Sequence, residues 1–330
     1  MRRNGGRQSS VATTVSWWVL LLWALTWPVF GAGFSTPAER FTLSDEVLRY
    51  HVMGPADGPV AIVLGGGPGF SSWHLEPLQR RLAELGYRAA LMDMLGVGEN
   101  ASTDRPLAGS ALLDAWVEQT EALRREMAGG QPVVLLGHSW GALMALLYTR
   151  AHPDQVRRLV LLNPVDPERR ALRHVAEQID ERRNKALSQR WDGEAAWQQA
   201  VTPDSSEADA HDYISRSLPS YFLDYAQGQR YAAQFGATDF VPELNVEGWR
   251  AYGMQPLRYR TIRKWGIPID FIGCRQDLFM PASLEAMRAG LSFAQVTLLS
   301  DCVHFPWEEV PWAFDQALER HLQSAARPPP

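Results

Sequence analysis

The feature that most constrains this chain is a repeated alternation of short, mostly apolar runs with helix-like stretches. Val60–Leu64, Tyr87–Met92, Val133–Leu136, Val156–Leu162, Ile269–Ile272 and Gln295–Leu299 are such runs, each bounded by turn residues. A short apolar run without polar alternation suits a strand buried on both faces. Between them, Leu75–Leu85, Ser110–Met127, Ala142–Arg150, Ser283–Arg288 and Trp312–Leu322 carry helical patterns, with Ser110 a candidate N-cap. Strands alternating with helices predict an α/β fold, a mostly parallel central sheet flanked by helices. Ahead of the first run, Phe41–Met53 reads as extended and ends in the turn Gly54-Pro55-Ala56-Asp57-Gly58.

The alternation breaks once. From about Pro167 to Arg260 the chain is polar and helical, with aromatic clusters and no buried-strand pattern. A helical insertion between two parts of an α/β core reads as a cap over a site. At the other end, Arg2, Arg3 and Arg7 precede the apolar run Val15–Phe30. That is the layout of an export signal or a short N-terminal anchor. The expected layout is therefore residues 1–33 as signal or anchor and 34–166 as the first part of the core. Residues 167–260 form the cap, inserted after the sixth strand, 261–324 the second part of the core, and 325–330 a disordered tail. The body is expected to be exported, or tethered to a membrane by its N-terminal segment.

At 330 residues and 46% hydrophobic, the chain can bury a large core. A net charge of -5 with no long basic run excludes a nucleic-acid partner. Two cysteines cannot build a disulfide scaffold, and no His/Cys/Asp set has metal-ligand spacing, so neither a metal nor a cofactor is expected.

Gly137-His138-Ser139-Trp140-Gly141 fits G-x-S-x-G, and it lies where a buried strand gives way to a helix. A sharp turn there holds a serine hydroxyl above the sheet, at a helix N-terminus whose N–H groups favour developing negative charge. Serine needs a base. His304 follows the last predicted strand, where the chain returns to the carboxyl edge of the sheet. His138, adjacent to the serine on a sharp turn, is expected to pack under the elbow. Asp277, after the preceding strand, is the expected partner of the base, with Asp166 in reserve. Asp93 and Asp301 read as turn or capping residues. The loop Gly65-Gly66-Gly67-Pro68-Gly69 lets the backbone approach a substrate oxygen. Gly67 and Trp140, the residue after the serine, are the expected oxyanion-hole donors through their backbone N–H groups.

Together the glycine loop, serine turn, acid loop and histidine loop resemble the α/β-hydrolase superfamily over about Phe41–Leu322, including its chain order Ser, Asp, His. Gly66-Gly67-Pro68-Gly69 and Ser139-Trp140-Gly141 most resemble its proline iminopeptidase branch. The chain departs from that branch at Gly65, where His is usual, at His138, where Gly is frequent, and at Asp93–Glu99, which lacks a Gln-Arg. The resemblance implies hydrolysis of an ester or amide through an acyl-enzyme. In the narrower branch it also implies recognition of a free amine by acidic cap residues, for which Glu168, Glu177, Asp180, Glu181 and Asp224 are the counterparts. An acyltransferase or a non-catalytic small-molecule-binding relative are the readings of other classes.

Tyr221, Phe222 and Tyr225 lie in an aromatic part of the insertion, and a helix there would put Tyr221 and Tyr225 on one face. They are the expected pocket for a small, largely apolar substrate. Cys274 and Cys302 flank the acid and the base. An exported protein could join them, and two free buried thiols is the other reading.

Overall fold

The computed structural model describes residues 33–105, 107–168, 206–277 and 286–323. The N-terminal apolar run, the tail 325–330, and Glu177, Asp180 and Glu181 lie outside the described residues.

The stretch Phe41–Met53, expected as one extended run, is divided between the two strands of a hairpin. Strands β1 (Glu39–Leu43) and β2 (Glu46–Met53) pair antiparallel, Glu39 opposite Tyr50 and Leu43 opposite Glu46. Ser44 and Asp45 reverse the chain between them, with Ser44 at φ 54. Six strands follow: β3 (Val60–Leu64), β4 (Arg88–Leu91), β5 (Val133–His138), β6 (Val156–Leu162), β7 (Ile269–Cys274) and β8 (Gln295–Leu299). All eight form one sheet in the order β1-β2-β4-β3-β5-β6-β7-β8. β2 joins β4 antiparallel, and every pair from β4 to β8 is parallel. The chain leaves β3 first for β4 on one side and then for β5 on the other. A ligand site is expected beyond the carboxyl ends of the strands at such a reversal.

Helix α1 (Glu76–Glu84) follows β3, α2 (Gly109–Ala128) follows β4 and α3 (Trp140–Ala151) follows β5. α2 begins one residue before Ser110, whose expected capping role is not realised. Ala108 occupies the cap position without a side-chain bond. The Gly109 N–H instead donates to the Glu247 carboxylate of a later helix, so a tertiary contact supplies what the local cap does not. α3 is buried from Trp140 through Thr149 and packs on β3, β5, β6 and α2, which explains its lack of a polar stripe.

Between β6 and β7 the described residues form α4 (Ser206–Ser217), α5 (Tyr225–Ala232) and α6 (Pro242–Met254), with short turns among them. The only strand-like pairing described there is a bridge from Phe240 to Phe70, in the loop after β3. α7 (Pro311–Gln323) closes the described chain. Among the described residues no helix is long and apolar enough to cross a membrane.

Candidate active site

The loops after β3, β5, β6, β7 and β8 all leave the same edge of the sheet, and each brings one part of the site. β5 runs into Ser139, whose backbone sits at φ 55, ψ -116, and α3 starts at the next residue. A side chain at positive φ is uncommon, and strain of this kind is held only by surroundings that over-determine it. Two observations account for that hold. The Ser139 N–H donates to the Leu162 carbonyl of β6 at 2.9 Å. The α3 end also lies so close to β3 that a Cβ on Gly141 would stand 2.1 Å from the Leu64 carbonyl oxygen. Glycine at 141 is therefore a spatial requirement.

His304 Nδ1 bonds Asp277 Oδ1 at 3.1 Å. Asp277 accepts there, so Nδ1 of the neutral ring carries the proton and Nε2 keeps the lone pair that a base needs. Asp277 Oδ2 accepts from Asn163 Nδ2 at 2.6 Å, and the same amide donates to the Val303 carbonyl at 2.9 Å. Asn163 follows β6, is fully buried and sits at φ 42. It was not legible in the sequence, since nothing marks one loop Asn as the donor to a distant carboxylate. Asp166, the reserve acid, accepts the Glu168 N–H at 2.8 Å, whereas Asp277 accepts from the His304 imidazole. Asp93 ties a turn by accepting the Ser72 and Glu99 N–H groups.

Cys274, at the end of β7, and Cys302, in the loop after β8, form a disulfide. It links the acid loop to the histidine loop within three residues of Asp277 and two of His304.

Ser139 and His304 face one cavity, whose other walls include Gly66, Gly67, Phe70, His74, Tyr213, Tyr221, Phe235 and Phe305. Trp140 lies at the first turn of α3, its ring buried against Trp116, Trp249 and Tyr252. Of the three expected pocket residues, Tyr221 lines the cavity, its ring 5.1 Å from that of His304. Phe222 packs behind the wall, stacked on Phe305 at 5.1 Å and against Tyr231. Tyr225 is half-buried and is not among the lining residues. Tyr221 ends a 3-10 turn, Phe222 is extended at φ -112, ψ 150, and Tyr225 opens α5. The break at Phe222 removes the common helix face expected for Tyr221 and Tyr225.

His138 does more than fill space under the elbow. It lines the cavity, and its Nε2 lies 2.9 Å from the His304 carbonyl oxygen. A carbonyl only accepts, so His138 Nε2 carries the proton and is committed to that bond. Burial, and then the charge His304 carries when protonated, hold His138 well below the usual histidine range. His74 is similarly buried, bonded through Nδ1 to the Tyr231 hydroxyl at 2.8 Å, and lowered to about 3 by burial and then by His304. Two neutral imidazoles thus flank the His304 side of the cavity. Neither was assigned to the site from sequence, because a histidine's burial depends on what folds over it.

Residues 59–311 match the family model of the alpha/beta hydrolase fold. The proline iminopeptidase of Lactobacillus helveticus is 34% identical over 115 residues, which cover 34% of this chain and 38% of that enzyme. The match thus spans well under half the length of that relative. The proline iminopeptidase of Lactobacillus delbrueckii subsp. lactis is 25% identical over 80% of this chain and 90% of its own. Among solved structures, a serine hydrolase of Cycloclasticus zankles superposes with a TM-score of 0.63 at 19% identity, covering 87% of this chain and 97% of that one. An esterase of Thermogutta terrifontis does so with a TM-score of 0.64 at 17% identity, over 88% and 100%. At these identities the two structures speak for the fold alone.

Proposed function

We propose, from the premise that this chain belongs to the α/β hydrolase fold family, that it is a serine hydrolase cleaving an ester or amide of a small, largely apolar substrate. Ser139 attacks the carbonyl, His304 takes the serine proton and returns it to the leaving group, and Asp277 orients the imidazole and stabilises its cation. The backbone N–H groups of Gly67 and Trp140 receive the oxyanion. Water then releases the acyl group by the same steps. The observation that carries this reading is the 3.1 Å bond from Asp277 to His304 Nδ1, with Ser139 and His304 on the wall of one cavity.

In this reading residues 167–260 are a cap whose aromatic side chains receive the acyl portion. Residues 1–33 are an export signal or anchor, and a buried disulfide suits the oxidising compartment that export implies. An aminopeptidase like the Lactobacillus relatives needs a carboxylate for the substrate amine. Among the described residues no carboxylate lines the cavity. Asp224 caps α5 by accepting the Ala226 N–H, and Glu168 accepts the Tyr259 N–H. The other candidates, Glu177, Asp180 and Glu181, lie outside the described residues.

A panel of aryl esters and aminoacyl arylamides tests the reading, with Ser139→Ala as control. Aryl esters of small apolar acids are expected to turn over fastest, and Ser139→Ala to lower kcat/KM by roughly 10⁴ while the protein stays folded. Undiminished turnover in Ser139→Ala refutes the mechanism. A clear preference for aminoacyl arylamides transfers the substrate class to the aminopeptidase.

A further inference from the structure

Glu309 closes the one-turn helix Pro306–Glu309 that follows the histidine loop, and its carboxylate turns back on that loop. Oε2 accepts three successive backbone N–H groups, from Val303 at 2.9 Å, His304 at 3.2 Å and Phe305 at 3.3 Å. Oε1 reaches the other way and accepts the Leu223 N–H at 2.7 Å. Leu223 directly follows Tyr221, which lines the cavity, and Phe222, whose ring stacks on Phe305. One carboxylate therefore joins the loop that carries the base to the segment that brings Tyr221 to the pocket wall. The other main-chain group of His304, its carbonyl, is held by His138. Both backbone groups of His304 are thus fixed by side chains outside the serine, histidine and aspartate set.

We infer that Glu309 is a positioning residue that locks the His304 loop to the Tyr221–Leu223 segment, so that seating of the substrate and placement of the base depend on one group. This rests on the assignment of Ser139 and His304 above. A carboxylate is suited to the task because it accepts on both oxygens. Glutamine keeps one accepting oxygen. If that oxygen stays on the three N–H groups of the loop, its NH₂ faces the Leu223 N–H and the link to the pocket wall is lost. Alanine loses both links.

The test uses the full chain, the best aryl ester of the panel and a fluorophosphonate probe that labels an activated serine. Glu309→Gln is expected to raise KM about 5-fold with kcat within about 3-fold of the unmodified protein. Glu309→Ala is expected to lower kcat by about 10-fold or more and to slow labelling of Ser139 to match, since small misplacements of catalytic groups are costly. Leu223→Pro removes the second donor without touching Glu309, and Phe222 already has the extended backbone that precedes proline readily. It should raise KM more than it lowers kcat, and adding Glu309→Gln to it should change KM no further. Glu308→Gln, one residue away and outside this network, serves as the control and leaves both constants unchanged. Should Glu309→Ala fail to fold, Glu309→Gln and Leu223→Pro decide. Wild-type KM, kcat and labelling rate in those two variants, whatever their melting temperatures, overturn the inference. If the probe does not label Ser139 in the unmodified protein, the nucleophile assignment fails and the role of Glu309 falls with it.

Discussion

Ser139 is held by backbone groups packed tightly around one turn, whereas His304 is held by side chains, most of them far away in the chain. On the serine side, a left-handed residue between β5 and α3, a bond to Leu162 and a glycine without room for a Cβ make the turn rigid. On the histidine side, Asn163 from the loop after β6, Asp277 from the loop after β7, His138 from the end of β5, Glu309 from the turn that follows the histidine and a disulfide from the end of β7 converge. The two constructions differ in how they fail. A turn fixed by close packing has no nearby alternative and fails through the fold. A loop fixed by several clamps can lose one and remain, so it fails by degrees and through activity.

The sharpest way to break the comparison is at Gly141. An added Cβ would meet two backbone carbonyls, Leu64 O at 2.1 Å and Gly65 O at 2.6 Å, neither of which can swing aside. Gly141→Ala is expected to cost about 4 kcal/mol or more, close to the limit of what a domain tolerates. Denaturant melts measure it, and a loss below about 1 kcal/mol would show that the turn has slack.

On the other side, removing the disulfide should cost about 3–4 kcal/mol, as expected for the loop closed across a sequence separation of 28. Cys274→Ala with Cys302→Ala, compared with the native protein by melting and by labelling of Ser139, separates the two effects. Because Asp277 and Asn163 still hold His304, labelling should persist below the lowered melting temperature. Its complete loss in a folded variant would mean that the loop depends on a single clamp.

Asn163→Leu removes the donor to Asp277 Oδ2 and leaves the Val303 carbonyl unpaired. A hydrogen bond to a buried charged group contributes about 1.5–3 kcal/mol. A fall in kcat/KM of about 10- to 100-fold is expected, with Ser139 still in place. Loss of stability without loss of activity would make Asn163 a structural residue only.

The smallest effect concerns pH. His74 is lowered to about 3 in the folded protein, so below its ordinary value of about 6.5 the unfolded chain binds the proton first. Its contribution to stability is present above that value and is lost as pH falls. Asp93 acts in the opposite sense. Burial raises it to about 6, so the folded state binds its proton first and gains stability on acidification between about 6 and 4. His74→Phe leaves the Asp93 effect in place and should flatten the acid loss of stability by up to about 1.4 kcal/mol per pH unit between pH 6 and 4. Parallel melting curves for the two proteins would place His74 in contact with water.

Local pattern determined the central strands and the turn at Ser139. Apolar runs such as Val133–Leu136 and the all-round apolar α3 can only be buried, and glycines flanking a serine between strand and helix leave few backbone options. The loops after β7 and β8 could be assigned to the same edge as Ser139 because parallel strands point their carboxyl ends one way. Tertiary structure alone decided what local pattern leaves open. The hairpin at Ser44-Asp45 depends on which strand β2 finds, and the start of α2 on Glu247 reaching the Gly109 N–H. Whether Tyr221 and Tyr225 share a face turns on one extended residue, Phe222. The union of Cys274 with Cys302, the neutral state of His74 and His138, and the clamps from Asn163 and Glu309 depend on groups that meet only after folding. A residue's type and spacing can mark it as able to act. Its burial and its partners are properties of the chains that close over it, and no local window of sequence contains them.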